Sequence, residues 1–172
     1  RDAGRRVIVL GVDPGTITTG YGVVDRDGTG ALRLVECGVV RPRAGAPLAG
    51  RLQTIFEGIA DVIARHRPDA VAVEAVFVQK NARSALILGH ARGVILLAAA
   101  QAGLLVTEYP PATIKKAVVG AGAATKMQVQ QMVARIRRLK TPPSPSDAAD
   151  GVAVALTHAV RAGRVLRRAV VG

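Results

Sequence analysis

RRVIVLGVDPGTITTGYGVVD, residues 5–25, decides the fold. Val7 to Val12 is a continuous apolar run, long enough for one buried strand. It stops at Asp13-Pro14-Gly15, a turn signature, and Gly20-Tyr21-Gly22-Val23-Val24 reads as a second strand folded back on the first. Asp13 thus stands where a buried strand ends and a turn opens. A charge in such a place is costly unless it is paired, hydrogen-bonded or bound to a metal. The plainer reading is that Asp13 merely begins the turn and bonds its own backbone.

Working outward, the first strand covers residues 6–12 and the second residues 20–25, followed by a hairpin turn at Asp27-Gly28-Thr29-Gly30. Residues 31–40 alternate Leu32, Leu34 and Val39 with polar positions, as a strand with one exposed face should. Leu48, Leu52, Ile55, Phe56, Ile59, Val62 and Ile63 recur at helical spacing and predict a helix over 47–66. Residues 70–76 are a fourth strand that contains Glu74. Asn81 caps a helix running to Gln101, stopped by Gly103. Residues 104–109 are a fifth strand, and residues 112–118 a short helix. Gly120 to Ala124 reads as a flexible loop, Thr125 with Gln128 as a capping box for a helix to Arg138, and 141–145 as extended. Ser146 caps a final helix over 147–162. This order predicts a three-layer α/β fold, a mixed five-stranded sheet between helices, in one domain over 1–172 with a basic tail from about residue 160. Sites in such sheets lie beyond the carboxyl ends of the central strands.

Composition narrows the function. Twenty-four Lys and Arg against twelve Asp and Glu leave a net charge of +12, which suggests a polyanionic partner, nucleic acid or an anionic membrane. The longest apolar run in a helix, Gly93 to Ala100, is far short of the roughly 20 residues that span a bilayer, so no membrane is expected. Cys37 is the single cysteine, which excludes a disulfide within the chain and fits a reducing cytoplasm. The opening RDAGRR is not expected to be a signal peptide. Aromatics are Tyr21, Phe56, Phe77 and Tyr109, too few for a single-strand stacking platform.

The acids carry the chemistry. Glu74 interrupts an apolar strand, and Asp147 and Asp150 interrupt an Ala/Val helix at i and i+3, on one face. Asp147 also suits a helix N-terminus, and Glu74 also suits a buried pairing with an arginine. Four carboxylates meeting in an apolar setting repel unless cations lie between them. Oxygen-only ligands select hard ions, Mg²⁺ or Mn²⁺, and two such ions about 3.5–4 Å apart are the usual device for phosphodiester hydrolysis. A basic chain with an acidic metal cluster is a nuclease candidate. The three histidines, His66, His90 and His158, fall on separate helices at no ligand spacing and are read as structural or surface residues.

Asp13-Pro14-Gly15 with Thr19-Gly20-Tyr21-Gly22-Val23-Val24 resembles the opening of the RuvC family, the bacterial Holliday junction resolvases. Glu74-Ala75-Val76-Phe77, then Lys80-Asn81-Ala82-Arg83-Ser84-Ala85-Leu86 and Leu88-Gly89-His90-Ala91-Arg92-Gly93, continue the likeness. Val118-Val119-Gly120, Gly122, Lys126, Gln128-Val129-Gln130, Met132-Val133 and Asp147-Ala148-Ala149-Asp150 complete it, in one order from Val7 to His158. The resemblance implies an RNase H-like fold and a homodimer. It implies Mg²⁺-dependent cleavage of four-way DNA junctions, with two ions per site and Mn²⁺ able to substitute. It assigns the metal carboxylates to Asp13, Glu74, Asp147 and Asp150, and marks Lys115 and Lys126 as basic residues near the scissile phosphate, Lys126 with a catalytic part. It makes Phe77 an aromatic wedge at the junction centre, with Lys80, Arg83 and Lys116 as further DNA contacts. Branch-migration proteins of the same recombination pathway are the implied partners. Ala75 departs from a polar residue in some relatives, and the tail with Arg161, Arg164, Arg167 and Arg168 lies outside the match.

Other classes fit parts of the pattern. Asp13-x-Gly15-Thr16 is also similar to the first phosphate loop of actin-like ATPases, which need a second such loop and a much longer chain. A non-catalytic DNA scaffold explains the charge but not the four acids. An RNase H-like nuclease acting on structured RNA is the second reading.

Overall fold

A computed structural model describes residues 5–75, 81–119 and 146–169, the last eight of these by their backbone. Three strands come first, β1 (Val7–Asp13), β2 (Thr19–Arg26) and β3 (Leu32–Val40). Then follow α1 (Leu48–His66), β4 (Ala70–Glu74), α2 (Ala82–Gln101), β5 (Val106–Tyr109), α3 (Pro111–Val119) and α4 (Ser146–Ala169). The sheet order is β3-β2-β1-β4-β5. The first three strands pair antiparallel, as short turns allow, while β1–β4 and β4–β5 pair parallel, each after a helical crossover.

Strand alternation splits the core into two layers. Leu10, Val12, Val23, Val71 and Val73 meet Ile55, Ile59 and Val62 of α1 and Ala91, Ile95, Ala98 and Ala99 of α2. Val9, Val24 and Ala72 face the other way, against Ile114 and Val118 of α3 and Val152, Ala153 and Leu156 of α4. The mixed five-stranded sheet is therefore sandwiched between two helical layers.

Several boundaries differ from the sequence expectation, for physical reasons. The fifth strand begins at Val106 rather than Leu104, because the Leu104 N–H closes the end of α2 on the carbonyl of Ala99 and Leu105 is exposed. Gly103, at φ 70°, makes that reversal. The final helix runs to Ala169, not 162. Gly163 costs a helix interior about 1 kcal/mol against Ala, and the surrounding Arg, Leu and Ala are strong helix formers that outweigh it. β4 is described to Glu74, and Val76 lies outside the described residues, as do the expected loop at 120–124, the helix at 125–138 and the extended 141–145 segment. The alternation of β3 changes phase because Val35 is an extra residue: Val23 pairs Glu36, and Val24 pairs Leu34. The cap of α2 is as expected, with the Asn81 side chain accepting from the N–H groups of Arg83 and Ser84.

α2 has the length and composition to cross a bilayer. Arg83 and Arg92 sit within it, and an arginine near a bilayer centre costs about 2.5–3.5 kcal/mol. Here Arg92 forms a two-pronged pair with Glu108, its Nε donating at 2.8 Å, and the buried face of α2 packs on α1 and the sheet.

Candidate active site

β1 and β4 run parallel with Val12 opposite Val73, so the next residues, Asp13 and Glu74, sit level at the carboxyl ends of adjacent strands. Both are in phase with positions that face α4, Gly11 and Ala72, and so turn to the α4 layer. A third acid, Asp150, rises from α4 itself. The pairing of a buried strand end with a helix one layer away brings acids distant in sequence to one place.

Glycines set how closely α4 approaches. A Cβ at Gly11 would lie 2.4 Å from the Gly151 carbonyl oxygen, and one at Gly22 would lie 2.6 Å from the Val152 Cα. Gly151 on the helix side is equally confined, since its Cβ would fall 2.4 Å from the Tyr21 Cα. The backbone of α4 thus lies directly on β1 and β2, with Ala148, Ala149 and Ala153 buried beneath it. Gly20, the partner of Asp13 across β1 and β2, would place a Cβ 1.8 Å from the Asp147 carbonyl oxygen. The first turn of α4 is seated on that glycine, which fixes where Asp147 and Asp150 stand relative to Asp13.

A cavity of about 290 Å³ opens at this end of the sheet, lined by Asp13, Glu74 and Asp150 with Lys115, Pro111, Ile114 and Ala153. Asp147, half-buried, lies one turn earlier on α4 and is not part of that lining. Lys115, from α3, shares the cavity with three carboxylates; Lys116, one residue on, is exposed. Arg83 is exposed in the first turn of α2. Phe77, Lys80 and Lys126 lie outside the described residues.

The donor set suits a hard divalent cation, because the described residues lining the cavity offer carboxylate oxygens and neither sulfur nor imidazole. Among the described residues, no three Asp, Glu, His or Cys side chains are grouped closely enough to hold one ion by themselves. Mg²⁺ does not need such a group, since it keeps several waters and is held by one or two carboxylates together with substrate phosphates. The residues present therefore fit such an ion completed by its substrate.

Sequence reading did not single out Pro111, Ile114 or Ala153 as walls of the site, although Ala153 stands three residues beyond Asp150 on the same helix face. Nor did it find the contact that ties β5 to α4, where the Tyr109 hydroxyl lies 3.0 Å from His158 Nδ1. Burial pushes His158 below the usual histidine range, and the Arg161 guanidinium lies 5.8 Å from the Tyr109 ring centre. Tyr109 directly precedes Pro110 and α3, so this contact anchors the root of the helix that carries Lys115.

Comparison with known proteins agrees with this geometry. The family described as "Crossover junction endodeoxyribonuclease RuvC" matches residues 9–158. A protein of that name from Pelotomaculum thermopropionicum is 51% identical over 153 residues, 89% of this chain and 93% of its own length. Another, from Halorhodospira halophila, is 52% identical over 164 residues, covering 95% and 96%. The solved structure of Thermus thermophilus RuvC in complex with Holliday junction substrate superposes with a TM-score of 0.84 at 40% identity, covering 91% of this chain and 94% of that one. The three-layer arrangement is RNase H-like, as it is in that structure.

Proposed function

The chain belongs to the RuvC family of crossover junction endodeoxyribonucleases, and from that premise we propose that it cuts four-way (Holliday) DNA junctions in homologous recombination and repair. It is a nuclease of the hydrolase class, and the family depends on divalent metal. One observation carries the reading: Asp13, Glu74 and Asp150 share a cavity with Lys115 at the ends of two parallel strands, in a chain of net charge +12.

Asp13, Glu74, Asp147 and Asp150 are the residues that would hold two Mg²⁺ ions, with Mn²⁺ able to replace them. When bound, such ions supply Lewis-acid stabilisation of the phosphate and a nucleophilic water at neutral pH. Lys115 brings a positive charge to the phosphate entering the cavity. Pro111, Ile114 and Ala153 give that phosphate an apolar wall, which strengthens each electrostatic contact by lowering the local dielectric. Lys126 shares the catalytic role of Lys115, and Phe77, Lys80, Arg83 and Lys116 complete the contact with DNA. The products carry a 5′ phosphate and a 3′ hydroxyl. Residues 1–172 act as one nuclease domain, in the cytoplasm, with branch-migration proteins as partners.

Resolution needs two symmetric cuts, and one site makes one, so the active form is a two-fold dimer. α2 offers the interface. Leu86 and Leu97 are 67% and 50% exposed along an open groove of about 910 Å³ lined also by Leu52, Ala85, Gly89 and Gly93. Among the described residues, a Cβ at Gly89 or Gly93 would meet nothing within 4 Å, so none of them covers this face.

A synthetic four-way junction incubated with the protein and Mg²⁺, beside a linear duplex and a structured RNA, tests the reading. Paired nicks at symmetric positions in the junction are expected. Equal cutting of the linear duplex, or a preference for the RNA, overturns it.

A further inference from the structure

Between β1 and β2 the chain turns through residues 14–18, at the same end of the sheet as the cavity. This loop is pinned. The Thr19 hydroxyl, fully buried, donates to the Gly15 carbonyl at 2.7 Å, and a Cβ at Gly15 would fall 2.1 Å from the Thr18 carbonyl oxygen. Both feet of the loop stand on the candidate site. Asp13 precedes it, and Gly20, just beyond Thr19, carries the Asp147 backbone. At its apex Ile17 is 75% exposed, whereas Val9, Leu10, Val12, Val23 and Val24 of the flanking strands are wholly buried. Four residues from Asp13, Ile17 cannot lie more than about 14 Å from it.

An isolated exposed aliphatic needs no explanation on most surfaces. This one is β-branched and stiff, on a pinned loop at the same end of the sheet as the cavity proposed to receive the scissile phosphate. An aliphatic side chain gains nothing from a phosphate. It gains from deoxyribose and base edges, whose shape and ease of unstacking vary with sequence. We propose that Ile17 is a specificity-determining contact of the cutting reaction, packing on the sugar and base edge of a nucleotide next to the scissile phosphate and so selecting which step is cut. The proposal rests on the junction-cutting reading given above. It assigns to Ile17 the choice among steps, and leaves overall affinity to the basic residues.

The test uses a panel of synthetic four-way junctions that differ in the two nucleotides on either side of each candidate scissile phosphate. Cut positions and rates are mapped for the unsubstituted chain, Ile17→Ala and Ile17→Val. The side chain is 75% exposed, so unfolding temperature should change little. The unsubstituted chain should favour some steps over others. Ile17→Ala should narrow the spread between the best and worst steps by about tenfold, the low end for loss of an apolar contact. Ile17→Val, which keeps the branch, should hold most of the spread. A spread unchanged in Ile17→Ala, a uniform loss at every step, or no step preference in the unsubstituted chain overturns the proposal. If the unsubstituted chain leaves junctions uncut, the functional reading itself has failed. If it cuts them and Ile17→Ala keeps the spread, the Ile17 assignment alone falls.

Discussion

Gly20→Ala separates the seat of α4 from the chemistry it positions. The added Cβ would lie 1.8 Å from the Asp147 carbonyl oxygen, whereas ordinary contact begins at 3.4 Å, so helix and strand must part by about 1.6 Å (3.4 − 1.8). Both are backbone, and neither can swing aside as a flexible side chain would. Overpacking of this kind costs about 1–3 kcal/mol of stability. The effect on rate should be larger, because a displacement of about 1 Å at a catalytic constellation costs on the order of a hundredfold. That corresponds to about 2.7 kcal/mol of transition-state stabilisation. Single-turnover incision of a saturating four-way junction measures the rate, and thermal unfolding measures the stability. Gly50→Ala in α1 is the control: nothing lies within 4 Å of its added methyl, so rate should hold and stability should not fall. Should Gly20→Ala cut within about threefold of the unsubstituted chain, a difference under ~0.7 kcal/mol, the spacing of α4 against β1 does not govern the site.

Three other expectations follow from separate parts of the structure. Arg65, donating to Glu36 at 2.6 Å, is the main cause that holds this carboxyl down to about 2, helped by Tyr21 and His66. Because the folded value is depressed, the stabilisation is complete above the usual carboxylate range and is lost as pH falls from about 4.5 toward 2; a Glu36→Gln unfolding midpoint that trails the unsubstituted chain equally at pH 7 and pH 2.5 refutes this. Leu86→Glu or Gly89→Lys, on the open face of α2, should give folded monomers in sedimentation at micromolar concentration and lose paired incision, and dimers that persist in both would move the interface elsewhere. Lys115→Ala should flatten the plot of log affinity against log salt by up to about 0.9, one phosphate contact, measured by junction binding in Ca²⁺; an unchanged slope leaves Lys115 a role in the cutting step alone.

Asp13 and Glu74 were legible because a charge ending or breaking a buried apolar strand has few cheap explanations, and the parallel pairing of β1 with β4 then sets them level. Asp150 was legible by the same contrast, an acid between Ala149 and Gly151 in a buried stretch of helix. What the sequence could not reveal is distance between layers. Gly11, Gly22 and Gly151 look like weak points in their own elements, yet each is a place where two backbones touch. That contact is a property of pairs of residues far apart in the chain, which periodicity does not report. The phase change at Val35 is similar: a bulge shows only when the partner strand is known. Leu104 and Leu105 extended the apparent fifth strand because apolar character alone does not distinguish a strand from a helix exit.

The central claim is that the acids act as one metal-dependent cutting site, and incision at equal junction occupancy tests it most directly. Asp13→Asn, Glu74→Gln, Asp147→Asn and Asp150→Asn are each compared with the unsubstituted chain in Mg²⁺, with binding measured in parallel. The account predicts binding within about twofold of normal and rates lower by a hundredfold or more, about 3 kcal/mol of lost transition-state stabilisation. A variant at Asp13, Glu74, Asp147 or Asp150 that cuts at close to the normal rate would contradict it.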